Sequence, residues 1–305
     1  MKTLVVITGP TAVGKTDLCL DLASQFNIPI INADSRQIYR EMKIGTAAPT
    51  EDQLRQVRHF FVGSQSISDY YSASIYEQQV MALLNELFKK SDYALMTGGS
   101  MMYIDAVCNG IDDIPTVDDN TRKELKLRLA NEGLEVLCNQ LHELDPEHWA
   151  IVDRQNPRRV VHALEICLMT GKTYTSFRKN ERKERPFNIR KIAINREREE
   201  LYERINHRVD KMMEQGLLEE AKTLYPLREL NALNTVGYKE MFAYFDGIWT
   251  LVEAIERLKG NTRRYARKQL TWFKRDPEVK WFSPNQKSEI IDYIKQSKIV
   301  DDTTC

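Results

Sequence analysis

Residues Gly9-Pro10-Thr11-Ala12-Val13-Gly14-Lys15-Thr16 match G-x-x-x-x-G-K-[ST] at every required position. No other stretch restricts the folding of this chain so strongly, because the pattern works only between a strand and a helix. Both neighbours have the right character. Residues 4–8 form a short apolar run that reads as a buried strand, and residues 15–26 read as a helix with Leu18, Leu22 and Phe26 on one face. In such a loop the glycines let consecutive backbone N–H groups turn toward an anion, and the helix N-terminus adds partial positive charge. Lys15 supplies a point charge to a diphosphate, and the Thr16 hydroxyl suits a Mg²⁺ ligand. The bland alternative is a glycine-containing turn that binds nothing, and the complete pattern in its proper context speaks against it. The loop predicts a phosphorylated ligand, ATP or another nucleotide included, without naming it.

The alternation continues beyond the loop. Residues 28–32 are a second strand candidate, 76–89 a helix carrying Val80, Leu83, Leu84 and Leu87, and 93–97 a third strand. Strand–helix alternation implies a parallel sheet covered by helices, here an α/β core of the P-loop NTPase-like kind. From about residue 111 the pattern turns purely helical. Leu134, Leu137, Leu141 and Leu144 share a helical face, while Pro157 and Gly171 bracket a helix bearing Val160, Val161, Leu164 and Leu168. Residues 191–194 look like a strand again. The expectation is an all-helical insertion, 112–186, within a core formed by 1–111 and 187–305, whose part beyond Glu197 is helical and more basic. A chain of 305 residues leaves room for about two such domains.

Forty-four basic residues cancel 44 acidic ones, so net charge points to no partner, whereas its distribution does. Between Arg263 and Arg275 stand six basic residues and no acid, with Tyr265, Trp272 and Phe273 interleaved; residues 172–191 hold eight basic residues against two acidic. Charge mixed with stacking aromatics suits an RNA loop, although a solvated basic helix with core Trp and Phe reads equally well. The five cysteines, Cys19, Cys108, Cys138, Cys167 and Cys305, are scattered without a C-x-x-C pair, which suggests neither a disulfide framework nor a zinc finger. The first apolar run is too short for an export signal and no stretch approaches a membrane span, so a cytoplasmic protein with reduced thiols is expected.

The second strand candidate leads into Asn32-Ala33-Asp34-Ser35-Arg36-Gln37-Ile38-Tyr39. Loops at the carboxyl ends of parallel strands share one crevice, so Asp34 is expected beside the bound phosphates. Its carboxylate could hold Mg²⁺, act as general base toward an acceptor, or simply cap the next helix.

Taken together, G-P-T-A-V-G-K-T, A-D-S-R-Q-I-Y-R, Gly45-Thr46-Ala47-Ala48-Pro49-Thr50, Tyr71-Ser72-Ala73 and Gly98-Gly99-Ser100-Met101-Met102-Tyr103 closely resemble the tRNA dimethylallyltransferases, also called tRNA isopentenyltransferases. The likeness continues through Pro157-Arg158-Arg159-Val160-Val161-His162-Ala163-Leu164-Glu165, Val236-Gly237-Tyr238-Lys239-Glu240 and the block from Thr262 to Phe273. It implies transfer of a dimethylallyl group from dimethylallyl diphosphate to N6 of the adenosine immediately 3′ of the anticodon, with release of diphosphate. It further implies that Lys15, Thr16 and Mg²⁺ neutralise the leaving group and that Asp34 is the general base. Arg208, which by itself would pass for a residue on a solvated helix face, matches an arginine on the donor diphosphate. Asp34, Ser35, Arg36, Gln37, Ser100, Arg122, Arg158, Arg159, Val160, Val161 and His162 match tRNA-contacting positions. The expected partners are the tRNA anticodon loop and dimethylallyl diphosphate, with no membrane, and the expected state is a monomer.

The chain departs from the family pattern at Arg58-His59-Phe60-Phe61 in place of Pro-His-His-Leu, at Ala48 in place of Lys, at Ser100-Met101-Met102 in place of Thr-Gly-Leu, and at His162 in place of Arg. None of these touches a position given a catalytic role. A P-loop kinase would explain the phosphate loop but not the basic aromatic block or the insertion. An adenylate isopentenyltransferase would share the donor but not need the basic C-terminal half, and a non-enzymatic RNA-binding module would not need Lys15, Thr16 and Asp34.

Overall fold

The computed structural model describes residues 2–179 and 181–296. The chain runs β1 (Thr3–Thr8), α1 (Lys15–Phe26), β2 (Ile30–Asn32), α2 (Glu51–Gln56), β3 (His59–Phe60), α3 (Ala73–Leu87), β4 (Tyr93–Thr97) and α4 (Met101–Asn109). Helices α5 (Asp119–Glu132), α6 (Leu134–Leu144), α7 (Pro146–Ile151), α8 (Pro157–Thr170) and α9 (Tyr174–Phe177) follow. The rest comprises β5 (Asn188–Ile194), α10 (Arg198–Glu214), α11 (Leu217–Leu224), α12 (Tyr238–Phe245), α13 (Leu251–Phe273), β6 (Lys280–Phe282) and α14 (Lys287–Lys295).

All strand pairs are parallel, in the order β3-β2-β4-β1-β5-β6. Strand β1 is buried at every residue, as a parallel strand covered on both faces must be. Its side chains alternate between two cores. Val5 and Ile7 meet Leu18 and Leu22 of α1 and Leu201 and Ile205 of α10, while Leu4 and Val6 meet Val80 and Leu84 of α3 and Ile104 and Val107 of α4. A third core joins α10, α11, α12 and α13 with Ile38, Tyr39 and Met42.

Residues 2–108 and 185–296 make one compact unit and 109–184 another, so the insertion opens three residues before the expected 112 and closes two before 186. Arg185 marks the re-entry: its guanidinium donates to the Ala106 and Val107 carbonyls of α4, at 2.8 and 2.9 Å, and pairs with buried Glu77 of α3 at 2.5 Å. The helical unit has its own core of Leu125, Leu137, Leu141, Val160 and Leu164. Pro157 and Gly171 bracket α8 as expected, with Asn156 capping and Gly171 left-handed.

Two expectations are corrected, and two strands were not foreseen. Residues 28–29 are not strand, because Asn27 is left-handed and the Ile28 N–H still bonds Ala23 at the end of α1. Helix α3 starts at Ala73 rather than 76, where Ser72 caps it through the Ile75 N–H. Strands β3 and β6 were hidden because each is three residues or fewer, and a periodicity of two needs more length to register. Cys19, Cys108, Cys138 and Cys167 are buried free thiols, and Cys305 lies outside the described residues. Among the described residues no helix is long and apolar enough to cross a membrane.

Candidate active site

The loop leaving β1 turns on Gly9, whose φ is 142° and where a Cβ would stand 2.4 Å from the Ile194 carbonyl oxygen at the end of β5. Only glycine tolerates both the angle and the contact. Two arginines hold carbonyls of the loop: Arg196 Nε donates to Val13 at 2.8 Å and Arg204 Nε to Ala12 at 2.9 Å. The start of α1 carries no side-chain cap, which leaves its first N–H groups for an anion. The Thr11 N–H is already taken, donating to Gln269 Oε1 at 2.9 Å, while Gln269 Nε2 donates to the Gly99 carbonyl at 2.9 Å. Buried Gln269 of α13 therefore ties the loops after β1 and β4 together.

Lys15 Nζ donates to the Gly9 and Pro10 carbonyls at 3.0 and 2.8 Å. Burial, and then the nearby Arg208 charge, bring its ammonium down to about 8, with Asp34 pulling the other way. Burial also lowers Arg208, again against the pull of Asp34. Lys15, Arg208 and Asp34 thus feel one another as a single charge cluster. Thr16 is exposed at the head of α1.

Asp34 follows β2. Its Oδ1 accepts the Arg36 and Gln37 N–H groups at 2.9 and 3.3 Å, so the capping option is realised, though it closes a turn rather than a helix. Its Oδ2 has no hydrogen-bond partner among the described residues. The Ser35 N–H donates to buried Ser100 Oγ at 2.7 Å, and that hydroxyl donates to Ser35 Oγ at 3.0 Å. Gln37 Nε2 donates to the Thr46 and Ala47 carbonyls at 3.1 and 3.0 Å, and Arg208 Nη2 reaches the same Thr46 carbonyl at 3.2 Å. Aromatic side chains pack beneath and beside the site, Tyr76 and Tyr103 buried and Tyr265 half-buried. Tyr103 stacks on Tyr76 at 4.4 Å between centroids, and burial followed by the Asp34 charge raises the Tyr265 phenol above its usual range.

The remaining tRNA-matching positions lie in the helical unit. Arg158 and Arg159 are exposed in the first turn of α8, His162 is exposed one turn on, and Arg122 is half-buried in α5. Val160 is a correction: it is fully buried in the core of that unit, so its side chain meets helices and cannot meet RNA. Val161 is half-buried against the same core. Of the two readings of the basic block, a solvated basic helix with inward Trp and Phe holds for those two aromatics. Phe273 is core, and Trp272 is tied through Nε1 to Asp105 at 2.9 Å, whereas Arg264, Arg267, Lys268, Lys274 and Arg275 are exposed.

Among the described residues no group of three or more His, Cys, Asp and Glu could hold a metal. The donor available in the phosphate loop is an oxygen, the exposed Thr16 hydroxyl at the head of α1. A lone hydroxyl oxygen fits a hard divalent cation that keeps water and takes its remaining ligands from a diphosphate, and not zinc.

Gln269, Arg196 and Arg204 had no assigned role in the sequence. The first lay inside a motif block without a distinguishing signal, and the arginines looked like ordinary helix-surface charges.

Residues 37–276 match the IPP transferase family profile, a span that begins after the phosphate loop and so stands independently of it. tRNA dimethylallyltransferase 1 of Bacteroides fragilis is 60% identical over 97% of this chain and 98% of its own length. tRNA dimethylallyltransferase 2 of Parabacteroides distasonis is 56% identical over 98% of this chain and 100% of its own. The solved full-length tRNA isopentenylpyrophosphate transferase of Bacillus halodurans is 37% identical with a TM-score of 0.70, covering 96% of each chain. A eukaryotic dimethylallyltransferase, described as acting on tRNA, is 25% identical with a TM-score of 0.81 over 97% of this chain and 82% of its own. On the profile match and on identities of this size over nearly the whole length, the chain belongs to the IPP transferase family of tRNA dimethylallyltransferases.

Proposed function

We propose that this chain transfers the dimethylallyl group of dimethylallyl diphosphate to N6 of the adenosine immediately 3′ of the anticodon in tRNA, with Asp34 as general base. The observation that carries this reading is the division of labour on Asp34: one oxygen is fixed by the Arg36 and Gln37 N–H groups and the other is unbonded, within the charge cluster of Lys15 and Arg208. A carboxylate whose position is set by one oxygen and whose second oxygen is open can accept a proton without rearranging.

The donor's diphosphate occupies the loop 9–16. Its negative charge grows as the C1–O bond breaks and the bonding pair leaves with oxygen. Backbone N–H groups at the head of α1, Lys15 and Arg208 are fixed where that charge develops, which is the arrangement that lowers such barriers most. Mg²⁺ bound by Thr16 and the diphosphate would supply further charge neutralisation to the leaving group. The exocyclic amine is a weak nucleophile because its lone pair is delocalised into the ring. As N6 forms its bond to C1, Asp34 Oδ2 takes one N6 proton and the amine nitrogen stays neutral. The target base is extruded from the anticodon loop to reach Asp34, and Ser35, Gln37 and Ser100 offer donors and acceptors to its edge. Arg122, Arg158, Arg159 and His162 contact the tRNA backbone. Arg158 and Arg159 face the positive end of α8, where cations are unfavourable and no acid sits in the first turn. That placement costs the helix a few tenths of a kcal/mol and makes sense as a phosphate-binding pair.

Asp34→Asn tests the base while keeping an oxygen for the turn. The expected loss of transfer rate is about 10²- to 10⁴-fold with tRNA affinity within about twofold of wild type. Wild-type labelling of tRNA by the purified variant would overturn the assignment. Arg208→Ala should raise the donor KM about tenfold, the scale of removing one charge-assisted hydrogen bond; an unchanged donor KM removes Arg208 from the donor site.

A further inference from the structure

The segment Val236-Gly237-Tyr238-Lys239-Glu240 has no part in the chemistry above, yet it is built into the molecule on two sides. Buried Glu240 accepts the Gly237 N–H at 2.8 Å and Asn261 Nδ2 of α13 at 2.7 Å, which fixes the start of α12. From there the fully buried Tyr238 points its hydroxyl at Glu220 of α11 and donates to Oε1 at 2.7 Å. Glu220 in turn accepts three consecutive backbone N–H groups, from Lys43, Ile44 and Gly45, at 3.0, 2.8 and 2.9 Å. The contact is close enough to dictate glycine at 45, since a Cβ there would lie 2.6 Å from the Tyr238 ring. One carboxylate, itself held by one phenol, therefore gathers all three N–H groups of 43–45, while the Ala47 and Ala48 N–H groups close the turn on the Ile44 and Lys43 carbonyls at 2.8 and 2.9 Å.

The turn sets the path of the chain into the transfer site. The next two carbonyls, those of Thr46 and Ala47, receive Gln37 Nε2, and the Thr46 carbonyl also receives Arg208 Nη2. Thr46 and Ala47 thus aim both a donor-site arginine and an acceptor-site glutamine. We infer that Glu220, completed by Tyr238, is a positioning residue of the transfer site: it fixes the 43–45 turn so that the Thr46 and Ala47 carbonyls hold Arg208 and Gln37 in their working orientations. The inference rests on the proposed roles of those two side chains.

Glu220→Gln leaves one oxygen acceptor and turns an N–H₂ donor toward backbone N–H groups, so the turn loses its clamp. The expected result is a rise in donor KM of about tenfold and in tRNA KM of about threefold, with kcat changed less than about threefold. The decisive measurement is the double-mutant cycle with Arg208→Ala. If Glu220 acts through Arg208, Glu220→Gln adds less than about twofold to the donor KM in that background. An unchanged donor KM for Glu220→Gln overturns the inference, and so does a full, multiplicative effect in the Arg208→Ala background, which is the behaviour of a separate structural lesion. Tyr238→Phe removes only the hydroxyl and keeps the ring against Gly45. It repeats the cycle with an effect of about threefold and takes its place if Glu220→Gln does not fold. Arg208→Ala alone is the control: if it leaves the donor KM unchanged, the functional reading fails, whereas a raised KM there with a wild-type Glu220→Gln defeats the positioning role only.

Discussion

Lys15 gives the residue scale its clearest consequence. Burial and the Arg208 charge lower its ammonium to about 8, so in the free protein it is charged at neutral pH and loses that charge just above it. Between about pH 8 and its ordinary range near 10.5, the unfolded chain holds a proton at this site that the folded chain does not. Folding stability from this group therefore rises with pH across that window. Donor binding has the opposite sign, because a diphosphate favours the charged ammonium. The donor KM should rise severalfold from about pH 7.5 to about pH 9.5, and Lys15→Arg should flatten the profile even if its affinity is lower, because a guanidinium stays charged throughout. An identical slope in Lys15→Arg would assign the titration elsewhere. This residue, with Thr16 and the glycines around them, was legible in the sequence because a phosphate loop is a contiguous backbone device. Gln269 and Glu220 were not, since their partners Thr11 and Gly45 lie 258 and 175 positions away and only packing brings them together. Arg208 lay between: its place was implied by resemblance to a family, and nothing in the periodicity of its helix marks it.

Helix α13 shows how one element can serve two faces, and why its sequence was ambiguous. Its interleaved aromatics fitted either stacking on RNA or a docking stripe, and the second holds for Phe273 in the sheet core and Trp272 on Asp105, because a basic amphipathic helix needs an apolar stripe to dock at all. Its inner face delivers Gln269 and Tyr265 to the Gly99 carbonyl. Its outer face leaves Arg264, Arg267 and Lys268 exposed, where they are free to meet phosphates. Replacing each of these by Gln should weaken tRNA binding and reduce the slope of log affinity against log salt by about 0.7 to 0.9 for every phosphate left unneutralised, across tRNA substrates alike. Unaltered salt dependence in the triple variant would place the tRNA elsewhere. Strands β1 and β4 were read almost to the residue because each is an uninterrupted apolar run. Strand β6 was missed because three residues at a sheet edge borrow their conformation from β5 and have little pattern of their own.

On the scale of the whole molecule, the chain inserts a helical unit with a core of its own between α4 and β5. The two ends of the unit meet: the Lys183 N–H donates to the Asn109 carbonyl at 2.7 Å, and a Cβ at Gly110 would lie 2.5 Å from the Lys183 side chain. An insertion whose ends already touch imposes little loop-closure penalty on its host, and removing it requires only a short turn in its place. The sheet core keeps its own closure, because the Arg185 contacts with Glu77, Ala106 and Val107 fall outside the excised segment. Replacing residues 110–182 by a short glycine-containing turn should therefore give a folded protein that binds dimethylallyl diphosphate with a Kd within about threefold of the full chain. The same protein should lose about 10²-fold or more in tRNA affinity if Arg122, Arg158 and Arg159 are phosphate contacts. Donor binding by calorimetry and tRNA binding by filter retention at matched salt separate the two outcomes. Undiminished tRNA affinity in the shortened chain would confine recognition to the sheet unit and its basic helix α13, and loss of donor binding would mean that the phosphate loop depends on the insertion for its shape.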